Sequence, residues 1–272
     1  MPTTRPVDGP ALGRVPVVLL VPSVVALLLL LLPVVGLVAR APWDDLGALR
    51  DPSVADALRL SAITSTASTI IVVLIGLPLA WLLARVEFRG KKVVRAFVTV
   101  PLILPPVVGG VALLTAFGRR GLVGEPLLEV FGVGITFTVY AVVLAQTFVS
   151  LPFLVISVEG ALRTADRRFD EVAASLGASR WRTFRRVTVP LAAPGLAGGA
   201  ALAWARALGE FGATITFAGN FQGTTRTTTL EIYGRLQSSD PDVAILLSLV
   251  LLGISVLVLV LLRERWTAGA LR

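Results

Sequence analysis

The residues most able to do chemistry here are charged or hydroxylic side chains set inside apolar sequence. Arg206 and Glu210 stand four apart in a stretch otherwise built of Ala, Leu, Gly and Phe. That spacing puts both side chains on one helical face, where they can meet, although the cation-first order is the weaker one. Glycines Gly209 and Gly212 flank the acid and loosen the helix there. Charges in such a setting face a protein interior or a wet cavity. The pair therefore either neutralises itself and pins a helix end, or serves as a gate. A second set is Ser61, Thr64, Ser65, Ser68 and Thr69, spaced to share a helical face. These hydroxyls can bond back to helix carbonyls or donate to a passing oxyanion. Hydrolytic, redox and thiol chemistry lack their usual groups, since the chain has no Cys and no His. No GxxxxGK[ST] phosphate loop occurs either. Catalytic residues, metal ligands and cofactor sites are thus expected to be none.

The elements that must carry these residues are membrane spans. Of 272 residues, 55% are hydrophobic and 15% charged, and the mean hydropathy is +0.85. Soluble domains carry about 25% charge. An all-α protein with six transmembrane helices is expected, because only helices or closed barrels satisfy backbone groups in lipid. The spans fall at about 15–38, 55–83, 93–117, 135–158, 189–217 and 243–262. A tail over 1–14, a loop over about 161–190 and a tail over 264–272 complete the division.

Charge placement assigns the sides. Arg5, Arg14, Arg85, Arg89, Lys91, Lys92 and Arg95 share one side with Arg163, Arg167, Arg168, Arg180, Arg182, Arg185, Arg186, Arg263, Arg265 and Arg272. Arg40, Arg50, Arg59, Arg119, Arg120, Arg226 and Arg235 fall on the other. The positive-inside rule makes the crowded side, with both termini, cytoplasmic. The net charge of +8 then reflects the inner leaflet of a cell membrane rather than nucleic-acid binding.

Two spans are ill suited to plain anchoring. The third contains Pro101, Pro105, Pro106, Gly109 and Gly110, and each proline removes a backbone donor. The fifth carries Gly195 and Gly199, a small-xxx-small pair that lets helix backbones approach closely. That face suits packing within one subunit, a pore lining or a dimer contact.

The cytoplasmic stretch Glu171-Val-Ala-Ala-Ser-Leu-Gly177, nine residues, then Val187-Thr-Val-Pro190 is a structured insert where a turn would suffice. Asp166 is placed to cap its helix, and Asp170 and Glu171 suit the first turn. Phe169, Val172, Ala173 and Leu176 form one apolar stripe, and Gly177 suits a left-handed terminus. Trp181, Phe184 and Val187 form a second stripe amid arginines, predicting a second short helix. Such a pair can lie on anionic lipid or fit a groove on a cytoplasmic partner.

This pattern resembles the EAA loop of ABC importer permeases. Val172 and Val189 replace the usual Ala and Leu, keeping apolar character. Gly76–Arg85, Pro101–Gly109, Ala205–Thr214 and Phe217–Asn220 are similar to the molybdate, tungstate and sulfate group, and most to its molybdate permease subunit. The resemblance covers about Val54 to Arg263. It implies a type I importer permease fold and a permease homodimer, or paired homologues in some sulfate systems. It also implies two cytoplasmic ABC ATPase subunits, which hydrolyse the ATP, and an extracytoplasmic oxyanion-binding protein. Glu171, Ala173, Ala174 and Gly177 are the implied ATPase-docking residues, with Arg180 as a flanking contact. The pathway or gate candidates are Arg206, Glu210, Ser61, Ser65, Pro105 and Pro106. Molybdate is the expected cargo, with sulfate, thiosulfate and tungstate as alternatives.

Overall fold

The computed structural model describes residues 17–166, 168–238 and 240–269. The expected N-terminal tail, Arg167 and residues 270–272 lie outside these. Helix α1 (Val17–Ala39) is followed by a 3₁₀ segment over Trp43–Arg50 and by α2 (Pro52–Arg85). Next come α3 (Lys91–Ile103), α4 (Pro106–Phe117), α5 (Gly124–Phe131), α6 (Val139–Thr164) and α7 (Arg168–Ser175). The chain continues through α8 (Arg180–Thr183), a π-helical turn (Phe184–Thr188), α9 (Val189–Leu208), α10 (Gly212–Phe217), α11 (Thr228–Gln237) and α12 (Pro241–Gly269).

Five helices are long and apolar enough to cross a membrane, or six if α3 and α4 count as one broken span. The two meet at 120°, so residues 93–117 do not form the straight span that hydropathy suggests. Leu104 precedes Pro105, and Pro105 precedes Pro106. Proline excludes the preceding residue from the α region, and both are extended, with ψ of 132° and 135°. The fifth expected span also differs. Its helix starts at Arg180 rather than 189 and stops at Leu208, so α8 is no separate helix but the first turn of a 29-residue rod. The expected C-terminal tail is helical backbone as far as Gly269.

The core sits where α2, α6 and α9 meet. Val72, Ala80 and Leu83 of α2 interlock with Leu154, Val155, Val158 and Leu162 of α6 and with Ala192 and Ala203 of α9. Lipid gives helices no hydrophobic reason to associate, so close van der Waals approach at small residues must do so. A Cβ on Gly195 would collide with Ala161, and one on Gly199 with Ser157. The small-xxx-small pair therefore seats α9 on α6 within the subunit. Ser157 adds a hydrogen bond, donating to the Gly195 carbonyl at 2.8 Å. A second cluster joins Leu113 of α4, Ala145 and Val149 of α6, and Ala213 and Phe217 of α10. Helix α1 packs on α12, and nearly all its side chains from Val18 to Val38 are exposed.

Candidate functional site

Helix α7 begins as its sequence dictates. The Asp166 carboxylate accepts from the Arg168 N–H at 2.9 Å, occupying a donor that no helical carbonyl reaches. At the other end Gly177 takes φ +77°. Its N–H donates to the Ala174 carbonyl at 3.0 Å, and the Ala178 N–H donates to the Ala173 carbonyl at 3.0 Å. That double bond pattern is a Schellman terminus, which needs a left-handed residue and so selects glycine. Phe169, Val172 and Leu176 are 55%, 55% and 81% exposed. Glu171, Ala174 and Arg180 are exposed beside them, and Ala173 is half-buried. The five implied docking residues thus lie along one short, sharply ended helix and the start of the next.

One residue of α7 faces inward. Asp170 lies 3.2 Å from Arg85 Nε at the end of α2 and accepts from the Thr188 hydroxyl at the base of α9 at 3.1 Å. Arg85 also donates to the Ala165 carbonyl at 3.4 Å. Asp170 therefore fastens the loop to two long helices at once. From sequence Asp170 is only a first-turn acid among arginines; Arg85 stands 85 residues away and leaves no local signal of the pairing. Glu159 plays a parallel part, holding Arg95 of α3 at 2.6 Å and Arg163 at 3.2 Å.

The opposite end of the rod holds the other candidates. Arg206 Nη1 sits 2.6 Å from Glu210 Oε2, with Glu210 1% exposed and Arg206 29%. The other oxygen, Glu210 Oε1, accepts from the Ala213 N–H at 2.7 Å, and Thr229 donates to the Glu210 carbonyl at 2.7 Å. Glu210 thus bridges the break between α9 and α10 and receives the start of α11. Pro106 lies directly against Gly212, where any Cβ would overlap its ring. The breaks of the third and fifth segments are therefore apposed, bringing Pro105, Pro106, Arg206 and Glu210 into one neighbourhood. Below them Gly110 packs on Ala213 and Thr216.

Ser61 and Ser65 are fully buried in the packed face of α2. Ser61 accepts from the Thr228 N–H at 2.7 Å and its hydroxyl at 3.0 Å, and Ser65 bonds the Ala62 carbonyl at 3.3 Å. Their hydroxyls are occupied inside the subunit, and Ser61 is joined to the Glu210 end only through the start of α11, where Thr228 meets Ser61 and Thr229 meets the Glu210 carbonyl.

A network unseen in the sequence closes the face where α2 begins. Arg235 of α11 contacts Asp51 at 2.5 Å, Glu231 at 2.7 Å and Asp240 at 2.9 Å. The Arg235 hydrogen bond, helped by Ser53, holds the Asp51 carboxyl down at about 2, and the carboxylates push the Arg235 guanidinium upward. Among the described residues no cluster of Asp or Glu is placed to hold a metal ion.

A capped, exposed short helix thus stands at one end of the rod and a broken, clamped helix pair at the other. The profile of the family described as "Binding-protein-dependent transport system inner membrane component" matches residues 76–268. The chain belongs to that family. It is a multi-pass inner-membrane permease of an ABC importer. The permease is 49% identical over 249 residues to the "Molybdenum transport system permease protein ModB" of Mycobacterium tuberculosis, covering 91% of this chain and 94% of the relative. It is 39% identical over 212 residues to the Escherichia coli protein of the same name, covering 78% and 92%. The "Sulfate transport system permease protein CysT" of Escherichia coli is 36% identical over 236 residues, covering 85% of each. Among solved structures, a bacterial ABC transporter "involved in the import of the acidic polysaccharide alginate" superposes with a TM-score of 0.71 at 20% identity, covering 91% of this chain and 94% of that one. At that identity the likeness speaks for the fold.

Proposed function

We propose that the permease forms the membrane pathway for molybdate, as a homodimer driven by two cytoplasmic ABC ATPase subunits and supplied by an extracytoplasmic oxyanion-binding protein. The observation that carries the cargo is the 49% identity to a molybdenum permease along nearly the whole chain, against 36% for the sulfate permease. The sulfate relative still covers 85% of the chain, so sulfate is the second reading.

In this reading both termini are cytoplasmic, and α7 seats in the ATPase. Glu171, Ala173, Ala174 and Gly177 make the contact and Arg180 flanks it. Asp170 passes the motion of the loop to α2 and α9. The apposed breaks at Pro105–Pro106 and Arg206–Glu210 act as the gate. A partly exposed guanidinium at Arg206 gives a dianion some positive potential. Tight binding in the pathway would slow release, so selectivity belongs to the binding protein. Ser61 holds α2 and α11 in register beside that gate, and Ser65 is spent on the Ala62 carbonyl of its own helix, rather than meeting the anion.

The test is uptake by the reconstituted complex of permease, ATPase and binding protein. ATP-dependent accumulation of molybdate in preference to sulfate is expected. Sulfate uptake without molybdate uptake would overturn the cargo assignment.

A further inference from the structure

Beside the coupling loop lies a cavity of about 280 Å³ lined by Pro78, Trp81, Arg180, Trp181 and Phe184. Its walls are apolar and aromatic: Trp81 meets Phe184 edge-on at 5.8 Å, and Trp181 stacks on Phe184 at 5.6 Å. Trp181 is nevertheless 68% exposed, a large apolar ring left uncovered. Arg180 is the one charged group on the lining. Arg180, Arg182, Arg185 and Arg186 are all exposed and make no ion pair among the described residues. Trp81, Arg180 and Phe184 also line an adjoining cavity of about 460 Å³ together with Glu87, Asp170 and Glu171. Of these acids Asp170 is held by Arg85 and Glu87 by Lys91, so the arginines outnumber the acid left beside them.

We propose that this cavity binds an anionic phospholipid of the inner leaflet, its phosphate on Arg180 and its upper acyl chain along Trp81, Trp181 and Phe184. Three features select lipid over a soluble partner. Pro78 lies seven residues into α2 from Arg85, about 10 Å along the axis, so the cavity reaches membrane depth. Tryptophans at the end of a span are at home at the headgroup level. An unneutralised basic cluster at a cytoplasmic helix end attracts anionic headgroups. The occupant would brace α2 against the base of the rod, just where Asp170 fastens the loop. This goes beyond the transport reading and rests on it in two respects: this end of the chain faces inward, and Arg180, which flanks the ATPase contact there, keeps its guanidinium open to lipid.

The assembled importer is purified in micelles holding equal phosphatidylglycerol and phosphatidylcholine, and retained lipid is read by native mass spectrometry. The intact complex is expected to keep phosphatidylglycerol over phosphatidylcholine by about fivefold, the factor one basic residue gives near an anionic headgroup. Arg180→Gln and Trp181→Ala should each lose that preference, whereas Arg120→Gln, an equal charge loss on the other face, should keep it. Equal retention of both lipids, or an unchanged preference in Arg180→Gln, overturns the site. So does retention by the isolated permease but not by the complex, which would mean the ATPase covers the cavity. None of these outcomes depends on which anion is transported.

Discussion

Gly177 is the residue on which the loop after α7 turns. Nothing lies within 4 Å of a Cβ added there, so space does not demand glycine; the φ of +77° does. A β-branched residue in that region costs at least about 1 kcal/mol and unwinds the Schellman terminus. Gly177→Val is expected to abolish co-purification of the ATPase and its response to binding protein while the permease keeps its helical content by circular dichroism. Retained coupling in that variant would remove α7 from the docking role. At the other end, Glu210→Gln keeps an oxygen for the Ala213 N–H but takes the charge from Arg206. Uptake should fall several-fold with the complex still assembled, because the guanidinium of Arg206 is partly exposed and tolerates the loss of its partner. Normal uptake would leave the pair a purely packing device.

At the scale of elements, the seating of α9 on α6 rests on absent side chains. Gly195→Leu forces a branched chain into Ala161 and the Ser157 carbonyl, and overpacking of this kind costs about 1–3 kcal/mol. The variant should lower the thermal midpoint of the purified permease, whereas Gly160→Ala, with nothing within 4 Å of its Cβ, should not. Much of this level was legible in sequence. Pro105–Pro106 announced a break because prolines act through their own backbone, and Asp166 and Gly177 announced the bounds of α7 for the same local reason. What local chemistry could not show was apposition. That Pro106 lands on Gly212, or that Thr228 and Thr229 reach Ser61 and Glu210, depends on segments far apart in sequence. Helix α11 went unseen because its polar composition falls below any hydropathy threshold, and the arginine stripe at 180–186 read as a separate helix because its charge hid its continuity with the apolar rod.

Over the whole molecule, charge gathers in two places. One face carries Arg180, Arg182, Arg185 and Arg186, without an ion pair among the described residues, and the other is tied by Arg235 to Asp51, Glu231 and Asp240. Asp51 titrates at about 2 in place, against an ordinary 3.8. A depressed carboxyl lends stability above its unfolded value and withdraws it as pH falls through the folded one. The thermal midpoint of the solubilised permease should therefore drop from about pH 4 down to about pH 2, and Asp51→Asn should flatten part of that slope. An identical slope in the variant would locate the acid sensitivity elsewhere.

The unbroken run from Arg180 to Leu208 is about 43 Å long at 1.5 Å per residue, with the α7 loop at one end and the Arg206–Glu210 bridge at the other. Such a shaft transmits angle as well as displacement. A tilt of about 5° at the loop swings the far end by about 4 Å, and each residue added or removed between them would turn one end relative to the other by about 100°. The π-helical turn at Phe184–Thr188 accommodates one residue more than a regular helical turn. It thereby sets the angular phase between the two ends of the rod.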